Sequence, residues 1–269
     1  MINSNSRTKT NLKINRAFMR YPYCLLNKLT VFLLVLTVTV FVILVKLGLW
    51  QLHRGEEKAL LLAQMESRQA LAPLTFKQLL QKIHLEDVTG YRLSITASPA
   101  NAQIWLLDNQ VYQGQVGYLA FQALEVEPEK PWLLVELGFI AATSSRDELP
   151  QIEPLSGKLS LVGKLYQKQT NPLSHALMAE AGTHIRIQNL NIPEITQLVG
   201  HPLVTAVLQP DQLPNLELAH PWQPFPLSAQ KHWGYALQWF SMAAVFAGLM
   251  LWQGVKYVKH HHSANSMGK

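Results

Sequence analysis

Cysteine is nearly missing from this 269-residue chain, with Cys24 as its single example. An intrachain disulfide is therefore excluded, and so are cysteine-based zinc and redox motifs. Acidic residues are missing from both ends: all 17 Asp and Glu lie from Glu56 to Glu217. From His232 to Val255 there is no Asp, Glu, Lys or Arg. The short motifs of common catalysis are lacking too. No Gly-rich phosphate loop joins a strand to a helix, no His-Glu-x-x-His occurs, and no nucleophile elbow is present. His84, His175, His184, His201 and His220 are scattered singly, which suits surface or loop positions better than a metal site.

What is present is basic overall, with a pI near 9.4. The distribution of charge argues against a nucleic-acid partner. Arg7, Lys9, Lys13, Arg16, Arg20 and Lys28 precede one long apolar run, and Lys256, Lys259 and Lys269 follow another. Between the runs the 17 acidic residues outnumber the 13 Lys and Arg from Arg54 to Lys231. Basic flanks on two apolar runs are the positive-inside pattern. It predicts a multi-pass membrane protein with both termini cytoplasmic and the middle outside. The expected segments are a basic tail (1–28), a transmembrane helix (29–50), a periplasmic domain (51–231), a second transmembrane helix (232–255) and a cytoplasmic tail (256–269).

The first run, Leu29 to Trp50, is rich in β-branched residues. In lipid it must still be helical, because a lone strand leaves its backbone groups unpaired there. It is too long for an ordinary signal-peptide core, and no small-residue cleavage site follows, so it reads as an uncleaved anchor. The helix is expected to run on to about Gln69, with Pro73 as its stop. Leu74 to Ile83 reads as a short second helix. From Tyr91 the period changes to alternation, with strands expected at 91–97, 103–107, 117–126, 132–140, 158–166, 184–188 and 203–208. Asp108-Asn109, Gln113-Gly114, Glu127-Pro128 and Ser156-Gly157 read as turns. Short helices are expected over His175 to Glu180 and over Pro193 to Val199, the latter capped by Asn191. The proline-rich stretch 209–227 reads as a stiff return to the membrane. The fold class predicted is two transmembrane helices flanking a periplasmic α+β domain with a mainly antiparallel sheet.

Two stretches meet at one membrane height if the helices are antiparallel. Trp50-Gln51-Leu52-His53-Arg54 leaves the first run, and Lys231-His232 enters the second. Imidazoles and cations under Trp233, Tyr235 and Trp239 suit a haem, whose iron takes nitrogen ligands and whose propionates take Arg or Lys. The same residues also suit an interfacial aromatic belt with cations on headgroup phosphates. His260, His261 and His262 have an opportunistic metal-binding reading, and a positively charged cytoplasmic tail explains them equally well.

Gly48, Trp50, Gln51, Arg54 and Lys58 form Gly-x-Trp-Gln-x-x-Arg-x-x-x-Lys, and His232, Tyr235, Ala236, Trp239 and Phe240 form His-x-x-Tyr-Ala-x-x-Trp-Phe. This pair of patterns resembles the surfeit-locus protein 1 family of cytochrome c oxidase assembly factors. The resemblance is carried by the two ends of the chain. Where such families carry Asn-Arg-Gly-Trp on a central strand, this chain has Glu136-Leu137-Gly138-Phe139, without the Arg. The resemblance implies a non-enzymatic helper of haem a delivery to the oxidase catalytic subunit, working beside the haem a synthesis machinery. It implies that His232 is the haem ligand, with Arg54, Tyr235, Trp239, Trp50 and Gln51 around the cofactor. His53 lies outside the family pattern and is a candidate by geometry alone. A membrane scaffold that never touches haem is the alternative.

Overall fold

A computed structural model describes residues 21–145, 148–167, 174–221 and 227–266. The basic tail expected at 1–28 therefore falls largely outside the described residues. The same is true of the prolines at 224 and 226. The chain divides into two compact units. One comprises the residues up to Ala59 and from Leu227 onward, and the other runs from Leu60 to Pro226.

The first unit is built from two long helices, α1 (Tyr21–Gln69) and α4 (Ala229–Ser266). Both contain segments long and apolar enough to cross a membrane, Lys28–Gln69 and Ala229–Lys256. Apolar side chains such as Phe32, Leu34, Leu237 and Leu251 are more than half exposed along them. That is ruinous in water and ordinary against lipid tails. Both helices outrun the apolar segments expected from sequence. α1 starts at Tyr21, and α4 continues through the cytoplasmic tail expected at 256–269 as far as Ser266.

The second unit takes the last turns of α1, then α2 (Phe76–Lys82), β1 (Arg92–Tyr112), β2 (Gln115–Glu125), β3 (Trp132–Ala141), β4 (Leu159–Tyr166), β5 (His184–Ile187), α3 (Ile192–Val199) and β6 (Leu203–Pro210). α1 ends at Gln69, four residues before Pro73. Its last turn is fastened by Arg68, whose Nη1 donates to the carbonyls of Asp87 (3.0 Å) and Thr89 (2.9 Å) and whose Nη2 donates to Glu86 (3.1 Å). The cations of Arg68 (4.9 Å) and Lys82 (4.7 Å) both approach the Tyr91 ring. Gly90 is required beside this node: its φ is +91°, and a Cβ there would lie 2.9 Å from the Met65 Cα. α2 opens on a capping box, with Gln78 N–H donating to Thr75 Oγ1 (3.3 Å) and Thr75 N–H donating to Gln78 Oε1 (2.8 Å).

The strands lie in the order β2-β3-β6-β4-β1-β5, and β1 also pairs with β2. Five strands therefore close on themselves, with β5 added to β1. One core face gathers Leu93, Ile104, Leu106, Leu133, Val135 and Leu137 with Phe76 and Leu79 of α2. The opposite face gathers Trp105, Phe121, Leu134, Tyr166 and Val207 with Ile192 and Ile195 of α3. Burying a Leu or Phe in either is worth roughly 1.5–3 kcal/mol.

Three expectations are corrected. The sheet is mixed rather than mainly antiparallel, because β1 pairs with β5 and β3 with β6 in parallel. A parallel partner needs a long crossover, and the chain between β3 and β6 supplies one through β4, β5 and α3. The strands expected at 91–97 and 103–107 are one strand. Asp108-Asn109 is not a turn but a bulge within β1, with Asn109 at φ +57° and a register shift between Leu107 and Gln110. An Asn that tolerates positive φ serves a bulge as well as a turn. The helix expected over His175 to Glu180 does not form. Leu177 is buried there, and the backbone bonds Gln188 N to Leu177 O (2.9 Å) and Glu180 N to Arg186 O (3.1 Å) lay the segment along β5, covering an edge that would otherwise be open.

Candidate functional site

α1 and α4 each carry a buried or half-buried stripe at alternating spacings of three and four. On α1 the stripe is Thr37, Phe41, Leu44, Gly48, Gln51 and Gly55. On α4 it is Ala229, His232, Ala236, Trp239, Ala243 and Phe246. That spacing is the seam of two helices packed side by side. Small residues on α1 make seats for rings on α4. A Cβ on Gly48 would come within 2.7 Å of the Phe240 ring, and one on Gly55 within 2.4 Å of the Trp233 indole.

His232 lies in the first turns of α4. Ser228 opens that helix, accepting from Lys231 N–H through Oγ at 3.4 Å, an N-capping arrangement. His232 is 9% exposed and sits on the seam. Its Nδ1 is 2.7 Å from Gln51 Oε1 on α1. An amide oxygen only accepts, so Nδ1 carries the proton and the lone pair of the neutral ring lies on Nε2. Among the described residues, the enclosed side-chain nitrogens and oxygens without a partner are the indole Nε1 atoms of Trp105 and Trp132. Among the described residues Nε2 of His232 has no hydrogen-bond partner, and it is not one of the enclosed atoms.

The other candidates divide. Trp239 is half-buried on the seam, whereas Trp50 and Tyr235 are exposed at 53% and 45%, in the manner of interfacial aromatics. His53 does not reach His232. Its side chain is 70% exposed and its Nε2 lies 3.3 Å from Glu57. Arg54 is held by the same carboxylate, Nη1 to Oε2 at 2.6 Å. Sequence reasoning counted Arg54 among the converging cations and overlooked Glu57, three residues on, although charge spacing of that kind is legible on a helix. The Gly55–Trp233 seat was overlooked as well.

The donor set bears on what could be held here. Among the described residues no three His, Cys, Asp or Glu side chains gather as ligands for a bare ion. A haem asks less of the protein, since the porphyrin supplies four nitrogens and the chain need supply only an axial one. His232, with a protonated Nδ1 and an available Nε2, fits that demand.

The strand that departs from the family pattern has a structural task. Glu136 is wholly buried on β3, and its carboxylate accepts from Tyr166 Oη (2.6 Å), His220 Nδ1 (2.8 Å) and Gln209 Nε2 (3.2 Å). Burial first, and the Glu136 charge second, push the Tyr166 phenol well above the ordinary tyrosine range. Beside it Gly138, at φ +122°, leaves room for Leu218, and Phe139 N–H donates to Ala219 O at 2.7 Å. The chain from Leu218 to His220 is thus pinned onto β3.

No curated protein matches the sequence. A family model matches residues 38–244, that of the SURF1 family. The matched span contains the Gly48-to-Lys58 and His232-to-Phe240 patterns. The chain therefore belongs to the SURF1 family, which is linked to cytochrome oxidase assembly.

Proposed function

We propose that the chain assists haem a delivery to the catalytic subunit of a haem-copper oxidase, holding the haem transiently at the membrane edge with His232 as axial ligand. The observation that carries this reading is the imidazole held on the helix seam by Gln51, with its second nitrogen unbonded among the described residues. The bound haem would supply the iron that accepts that nitrogen. The chain's part is to present the ligand, shield one side with Trp239, and release. It makes and breaks no substrate bond, so it is not an enzyme. In this reading the protein lies in a bacterial inner membrane, with both termini cytoplasmic and residues 51–231 periplasmic. Its partners are the oxidase catalytic subunit, the haem a synthesis machinery and the lipid bilayer.

Arg54 already has its charge partly met by Glu57, so its contribution to a propionate is secondary to that of His232. The test is the visible spectrum of the full chain purified from membranes that make haem a. His232→Ala should lose most haem absorbance at unchanged protein level, and His53→Ala should keep it. Full occupancy in His232→Ala would replace haem delivery with the haem-free scaffold.

A further inference from the structure

We propose that Gln51 is a positioning residue that sets how firmly His232 holds iron, and that its being an uncharged amide keeps that hold releasable. The inference rests on the haem reading above. It starts from one contact, Gln51 Oε1 to His232 Nδ1 at 2.7 Å, between residues 181 apart in sequence. Gln51 is half-buried on α1, one turn before Gly55, whose missing side chain admits the Trp233 ring next to His232. The amide is thus fixed by the same packing that brings the helices together.

Three consequences follow for the imidazole. The acceptor locks the proton on Nδ1 and directs the lone pair to Nε2. It fixes the ring plane, since rotation about χ2 would break the bond. It also decides how electron-rich Nε2 becomes. A carboxylate behind a ligating imidazole draws the Nδ1 proton towards itself and raises the basicity of the ligand. The structure shows such a pair elsewhere, where Glu136 backs His220 at 2.8 Å. At His232 the acceptor is neutral instead. A neutral amide orients the ring without strengthening it, as suits a protein that must pass its cargo on.

Three variants of the full chain in detergent test this, read by retained haem, haem midpoint potential and the ¹⁵N resonances of labelled histidine in haem-free protein. The His232 signals are identified by their loss in His232→Ala. Wild type should show His232 as the Nδ1–H form. Gln51→Leu removes the acceptor. It should mix the tautomers and lower haem affinity by roughly tenfold, the lower end of what loss of an outer partner costs a metal site. Gln51→Glu should retain more haem, shift its potential downward and slow transfer to the oxidase subunit. If both variants keep the wild-type tautomer, affinity and potential while His232→Ala loses haem, Gln51 has no positioning role and the haem reading stands. If His232→Ala keeps its haem, the haem reading falls and this inference falls with it.

Discussion

Gly55 and Trp233 show how much a single missing side chain can decide. The indole occupies the space where a Cβ would stand, 2.4 Å from its nearest atoms. Gly55→Val should therefore destabilise the helix pair by about 1–3 kcal/mol, the usual cost of overpacking. Trp233→Ala should recover part of that loss in the double variant, because the two changes share one contact. Thermal unfolding of the four proteins in detergent gives the coupling; strictly additive losses would mean that the ring does not seat on Gly55. Tyr166 offers a pH test at the same scale. Its raised pKa means that above about pH 10, the ordinary tyrosine value, an unfolded chain sheds this proton while the folded chain keeps it. The folded state then binds more protons, so stability is full below that pH and falls as pH rises beyond it. Tyr166→Phe should lower stability at neutral pH by about 1–3 kcal/mol through the lost bond to Glu136. It should also flatten the alkaline decline, as followed by urea unfolding from neutral pH to about one unit above the ordinary tyrosine value.

At the scale of the element, α3 is a short helix that starts on a side-chain cap. It has two turns, and Asn191 begins it by accepting from Glu194 N–H at 3.2 Å while its Nδ2 donates to His175 O (2.9 Å) and to Glu194 Oε1 (2.7 Å). The same residue thus starts the helix and anchors the segment that covers β5. Asn191→Ala should cost about 1–2 kcal/mol, the upper part of the range for lost caps, and Asn191→Asp should not recover it, because the kept acceptor comes with a carboxylate set against His175 O and the Glu194 carboxylate. Denaturant midpoints of the variants measure this. The corrected helix at His175 to Glu180 belongs here too. That segment offered nothing its local sequence could have signalled, since its conformation is set by backbone bonds to Arg186 and Gln188 on the far side of a loop.

For the whole molecule, the proposal of a periplasmic centre makes a topological prediction. An export-dependent reporter inserted at Ser156, beside the open turn at Gly157 where φ is +72°, should be active, and one fused at the C-terminus should be silent. The reverse pattern would invert the orientation. The charge asymmetry behind this expectation is a property of the linear chain, because insertion reads Lys and Arg near the apolar runs before any tertiary structure exists.

The local features were legible for the same reason. Apolar runs, alternating strands, the Asn191 cap and the stop before Pro73 each depend on residues a few positions apart. The motif residues also included His232 and Gln51. The tertiary structure alone decided that β5 and β6 run parallel to their neighbours, that β1 continues through Asn109, and that Glu136 is enclosed by Tyr166, Gln209 and His220. It alone joined Gln51 to His232. Periodicity reports which face of an element is buried. Strand direction, and which partner a buried polar group finds, depend on contacts between residues far apart in the chain, whose energies no short stretch of sequence contains.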